Sequence, residues 1–131
     1  MKTIEQTVRF AAPPAAVYEA LIDSREHAAF TGEPAEISRE IGGAASFYGG
    51  KVTGINLHLE DGALIVQAWR PANLPPGVFT LVRYALAADG DGTKLTFTQT
   101  SVPDEMVEHL GKGWEERYWK PMREHFAKRA R

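Results

Sequence analysis

One helical period closes a chain that otherwise runs in twos. In GKGWEERYWKPMREHF, residues 111–126, Trp114, Tyr118, Met122 and Phe126 recur at steps of four. That is the spacing of one helical face. Upstream, from residue 35 to residue 100, the apolar residues alternate in short runs broken by Gly42-Gly43, Gly49-Gly50, Asp61-Gly62, Pro75-Pro76-Gly77 and Asp89-Gly90-Asp91-Gly92. Asp-Gly between two alternating runs signals a hairpin. Such runs form an antiparallel meander with one face to bury, and the C-terminal helix is the element large enough to cover it.

The helix carries defects. Pro121 removes a hydrogen bond and clashes with the preceding turn, at about 3 kcal/mol, and Gly111 and Gly113 cost about 1 kcal/mol each against Ala. A buried large apolar side chain contributes roughly 1.5–3 kcal/mol, so the four inner residues, with Leu110 above them, outweigh the defects. A bend at Pro121, with the Arg117 carbonyl unpaired, is the expected result.

Before the meander, TIEQTVRF (residues 3–10) alternates as a half-buried strand. Pro13-Pro14 then opens a short helix over 14–22, with Val17 and Leu21 on its apolar side. Asp23 with Glu26 reads as the cap of a second short helix ending at Thr31-Gly32. The fold class is therefore α+β, of helix-grip type. A curved antiparallel sheet of six to seven strands packs on a long C-terminal helix, with two short helices after the first strand, in a single domain over 1–131.

Strand phase proposes an inner set of Ile55, Leu57 and Leu59, then Val82, Tyr84 and Leu86, then Leu95 and Phe97. Asn56, His58, Arg83, Lys94, Thr96 and Thr98 would then face solvent. For 64–70 two phases stay open, Ile65/Gln67/Trp69 or Leu64/Val66/Ala68 inward. A curved sheet gripping a helix leaves room at one end for an apolar ligand. The pocket candidates are Gln67, Trp69, Tyr84, Phe97, Gln99, Trp114 and Tyr118. They are amphipathic or aromatic residues at the sheet–helix interface; core with a satisfied polar tip is the alternative, balanced for Gln99 and Tyr118 and preferred for Trp69 and Trp114. Arg70 points away from Trp69 and is expected in an ion pair.

Composition narrows the chemistry. There are no cysteines, which excludes disulfides and thiolate chemistry. The four histidines show no i, i+4 pair and no HExxH, so no metal is read. DGDGT at 89–93 reads as a turn rather than a calcium loop. No phosphate loop or GxSxG occurs, and no cofactor is expected. The net charge of −2 argues against a nucleic-acid partner. From Lys112 onward seven Lys/Arg face three Glu, which suits a helix C-terminus or, as the second reading, an anionic partner. No apolar run nears a membrane span, and the N-terminus lacks a signal-type apolar segment. The expectation is a soluble cytoplasmic protein, monomer or homodimer.

The ordered set FYGGKVTG (47–54), IVQAWR (65–70), LPPGVF (74–79), GTKL (92–95), Val102-Pro103 and Gly113-Trp114 followed by Tyr118, with HAAFTG at 27–32, resembles the C-terminal domain of activators of the heat-shock-protein-90 ATPase. That domain is a START-like (SRPBCC) fold. The resemblance covers nearly the whole chain. It implies a cavity under the long helix and a chaperone as partner. Three readings follow. The first is binding of a small apolar or aromatic molecule. The second is a co-chaperone-like module. The third is a cyclase- or aromatase-type enzyme, for which strand phase places no inward Asp, Glu or His.

Overall fold

The computed structural model describes residues 1–129. Strand β1 (Lys2–Phe10) leads into helices α1 (Pro14–Ile22) and α2 (Ser24–Thr31). Strands β2 (Ala35–Ile37), β3 (Ala44–Phe47), β4 (Val52–Glu60), β5 (Leu64–Pro71), β6 (Thr80–Asp89) and β7 (Gly92–Val102) follow. The chain ends in α3 (Val107–Trp114), a π turn (Glu115–Trp119) and α4 (Lys120–Arg129). The seven strands form one antiparallel sheet in the order β1-β7-β6-β5-β4-β3-β2. Its curved inner face packs on the C-terminal helix, with α1 and α2 beside it. Among the described residues, no helix is long and apolar enough to cross a membrane.

Local chemistry sets these elements. Asp23 caps α2 by accepting from the Glu26 N–H at 3.0 Å, and Gly32 closes it at φ 76, a left-handed value that glycine adopts without a Cβ penalty. Asp89 pairs with Gly92 across a two-residue Gly90-Asp91 turn, as the DGDGT reading anticipates. On β6 and β7 the inner residues are Val82, Tyr84, Leu86, Leu95 and Phe97, all buried. On β5 the open choice resolves to Ile65, Gln67 and Trp69 inward.

Strand β4 departs from the alternation. Ile55 and Leu57, expected inward, are 42% and 46% exposed, while Asn56, expected outward, is fully buried. A bulge explains this. Asn56 pairs with Gln67 and His58 with Val66, which leaves Leu57 without a partner. One extra residue reverses the phase of everything on one side of it. Before the bulge Gly54 and Asn56 face inward, and after it the inward phase passes to Leu59, opposite Ile65.

The C-terminal helix departs as well. The defect expected as a bend at Pro121 is taken up in a wide turn just before it, where the Lys120 N–H bonds to the Glu115 carbonyl. An i→i+5 turn holds one more residue than an α turn. Trp114 therefore shares its face with Trp119 as well as with Tyr118. Trp119 falls off the step-of-four pattern, yet it is 1% exposed and stacks on Trp114 at 5.5 Å.

Gly54 is required where β4 crosses β5. A Cβ there would stand 2.6 Å from the Ala68 carbonyl oxygen and 3.2 Å from the Trp69 ring. Gly54→Ala is expected to destabilise the fold by roughly 1–3 kcal/mol in urea unfolding, the usual cost of overpacking.

Candidate functional site

Three tryptophans lie in the interior, and each indole N–H must find a partner there. Each finds a glutamine. The Trp69 N–H donates to Gln67 Oε1 at 2.7 Å, Trp114 to Gln99 Oε1 at 2.9 Å, and Trp119 to Gln6 Oε1 at 2.7 Å. The glutamine amides are occupied in turn. Gln67 donates to Asn56 Oδ1, and Asn56 donates to the Ser38 and Glu40 carbonyls. Gln99 donates to Thr80 Oγ1, and Thr80 donates to the Trp69 carbonyl. Gln6 donates to the Gly111 carbonyl, which ties β1 to the top of the helix.

Around these bonds the rings pack into one body. The Trp114 ring lies 4.2 Å from Phe97, 4.4 Å from Tyr118 and 5.2 Å from Trp69, centroid to centroid. Phe10 joins it through Trp119 and Phe47 through Trp69. Beneath the π turn the interior is filled.

The open space lies beside α3. A cleft of about 440 Å³ runs between that helix, the start of β4 and the end of β5. Of the sequence candidates, Trp69, Gln99, Trp114 and Tyr118 line it. Gln67, Tyr84 and Phe97 do not. They are core residues, with Tyr84 held between Phe97 and Trp114. Arg70 makes no ion pair among the described residues and instead donates to the Leu74 carbonyl at 3.0 Å. Met106, Leu110 and Gly113 of the helical side complete the apolar wall, and Lys51, Arg117, His109 and Glu33 stand at its exposed rim. Among the described residues no cluster of His, Asp and Glu is placed to hold a metal.

Sequence reasoning missed two residues at this end. His27, on α2, is 2% exposed and its Nε2 lies 2.8 Å from the Tyr118 hydroxyl. Its ring is boxed by Phe30, Phe47 and Tyr118, and Nδ1 has no partner. Burial pushes its pKa down to about 4, so it is neutral at pH 7. The available signal was that His27 and Phe30 lie three residues apart, on one face of a capped helix. The second is Tyr48, on the cleft wall. It adopts φ 54, a left-handed value rare for a bulky residue, and its buried hydroxyl lacks a partner of hydrogen-bond geometry while facing that of Tyr118. Burial raises the pKa of both phenols, that of Tyr118 well above its usual range.

With this geometry in view, the comparisons with known proteins identify the family. The model of the Activator of Hsp90 ATPase homolog 1-like protein family matches residues 11–127. The chain belongs to that family. It is 32% identical over 114 residues to a Dictyostelium discoideum protein named Activator of 90 kDa heat shock protein ATPase homolog, covering 86% of this chain and 30% of that one. It is 27% identical to an uncharacterized protein of Schizosaccharomyces pombe, covering 92% of this chain and 36% of the relative. The chain thus spans about a third of the length of either curated relative. The crystal structure of an HSP90 activator from Plasmodium falciparum superposes with a TM-score of 0.85 at 20% identity, covering 90% of this chain and 91% of that one. That likeness is one of fold, and the helix-grip architecture of the START-like family members is the one seen here.

The buried imidazole links stability to pH. The unfolded ring takes up a proton near pH 6.5 and the folded ring only near 4. The unfolded state therefore binds more protons between these values. The stability from His27 is complete above pH 6.5 and is lost as pH falls toward 4, by on the order of 3 kcal/mol. Carboxylates titrate in the same range, so the comparison is with His27→Gln. Urea unfolding across this window is expected to show the steeper acid loss in the wild-type chain.

Proposed function

We propose that this family member binds a small, mostly apolar molecule in the cleft beside α3. The observation that carries the reading is Gly113. It sits inside a helix, where alanine would be about 1 kcal/mol better. A Cβ there would meet nothing within 4 Å apart from the helix's own backbone, and the residue lines the cleft. Packing does not demand the glycine, and a side chain at that position would enter the space. The cleft volume of about 440 Å³ falls within the common range for small-molecule sites, about 300–1,000 Å³. The aromatic walls suit an apolar or aromatic guest, with the charged residues standing at the rim.

A second reading is action on a chaperone of the heat-shock-protein-90 type, supported by the Dictyostelium relative's name and its 32% identity. An ATPase assay with the chaperone from the same organism tests it, and an unchanged rate contradicts it. Acid–base catalysis is the weaker idea. His27 is buried behind Tyr118 and does not line the cleft.

Gly113→Leu separates ligand binding from folding. The variant is expected to unfold at the same temperature as the wild type or higher, since leucine is the better helix former, and to lose at least tenfold in affinity for any ligand that stabilises the wild type in a thermal-shift screen. Equal binding by the two proteins would remove the cleft from consideration.

A further inference from the structure

Behind the exposed rim of Glu33, Lys51, Asn73, His109 and Arg117, the polar groups of the cleft wall are nearly all committed. Both indoles on its wall donate to glutamines, and Gln99 accepts from Trp114 and donates to Thr80. The Thr31 hydroxyl is bonded to the carbonyl oxygens of His27 and Glu33. What remains inside the rim is the row His27, Tyr118, Tyr48. Its two ends, His27 Nδ1 and the Tyr48 hydroxyl, are unpartnered; the third such buried atom among the described residues, Arg70 Nε, belongs to a residue that does not line the cleft.

The direction of this row follows from which orphan costs less. A buried N–H without an acceptor is rarer in proteins than a lone pair without a donor. The Nδ1 orphan is therefore assigned as a lone pair, which puts the imidazole proton on Nε2. His27 then donates to the Tyr118 oxygen. The Tyr118 hydroxyl faces the Tyr48 oxygen without hydrogen-bond geometry, so the Tyr48 hydroxyl has neither donor nor acceptor in the free protein. The unsatisfied donor thus stands on the residue that forms the cleft wall.

We propose that the cleft selects a ring-bearing apolar ligand carrying a hydrogen-bond-accepting oxygen, and that Tyr48 is the donor that reads that oxygen. The inference rests on the ligand-binding reading above and names the chemistry of its guest. Two further features support it. Tyr48 stands on a left-handed turn followed by Gly49 and Gly50, both at positive φ and both with open space where a Cβ would be. The turn is held by the Gly49 N–H on the Pro34 carbonyl and the Lys51 N–H on the Tyr48 carbonyl, and the Tyr48 ring packs against the core. Backbone strain of this kind persists where surrounding structure holds it and gathers at ligand sites. At the rim, Lys51 and Arg117 make no ion pair among the described residues. They favour an oxygen that bears negative charge.

The test uses three matched probes, naphthoate, acetylnaphthalene and ethylnaphthalene, with dissociation constants read from tryptophan fluorescence or calorimetry. The two oxygen-bearing probes are expected to bind the wild-type chain at least about fivefold tighter than ethylnaphthalene, the scale of one hydrogen bond. Tyr48→Phe is expected to erase the preference for acetylnaphthalene while leaving ethylnaphthalene affinity unchanged, and naphthoate keeps only the share owed to Lys51 and Arg117. Because the phenol oxygen has no partner in the free protein, the same variant should be as stable as the wild type or more so. A preference for acetylnaphthalene that survives in Tyr48→Phe overturns the proposal, as does the absence of that preference in the wild type. A clear loss of stability in the ligand-free variant also overturns it, since the hydroxyl would then have a partner. If none of the probes binds the wild-type chain, the ligand-binding reading falls for ring compounds, and the proposal falls with it.

Discussion

Three buried indole N–H groups, each held by a glutamine, are the constraint on which the rest of this fold depends. A tryptophan placed in the interior offers large apolar area and one donor that cannot be left unpaired. The partners come from three strands: Gln6 on β1, Gln67 on β5 and Gln99 on β7. Two of the three bonds run from the helix to the sheet, so they fix where the helix lies as well as satisfying it. The same amides then bond onward to Asn56, Thr80 and the Gly111 carbonyl. A polar network inside a core is worth having only when every member is satisfied, and this one is closed.

The π turn follows from that arrangement. With α periodicity alone, Trp114, Tyr118, Met122 and Phe126 would face the sheet and Trp119 would point aside. Widening one turn brings Trp119 inward to reach Gln6 on the far strand. Pro121, which lacks an N–H to give, follows directly after that turn. The costs of the proline and the two glycines are thereby put to separate uses. Gly111 offers its carbonyl to Gln6, and Gly113 leaves the cleft open.

Much of the architecture was legible because its signals are local. The Asp-Gly turns, the Asp23 cap with Gly32, and the alternation of β6 and β7 each declare themselves within a few residues. What was hidden depends on contacts distant in sequence. The bulge at Leu57 breaks an alternation that looks unbroken in GINLHLE, and nothing nearby marks it. Gln67 and Gln99 read equally well as pocket or core until their indole partners are placed. His27 lies on a short helix whose burial is decided by Tyr118, ninety-one positions later. Tyr48 on the cleft wall and His27 behind it were not among the candidates.

Membership of the family accounts for the frame and leaves the guest open. The filled aromatic body and the open cleft share Trp69, Trp114 and Tyr118, so the wall of the cleft is as rigid as the core behind it. In the proposed ligand-binding reading, selectivity falls to Tyr48 and the charged rim. The indoles are locked even where they border the cleft. Hydrogen exchange of the three indole N–H groups, followed by ¹H–¹⁵N NMR, tests this directly. All three are predicted to exchange only through global unfolding, with the same protection free energy. Exchange of the Trp69 or Trp114 indole at the rate of an exposed side chain would contradict it.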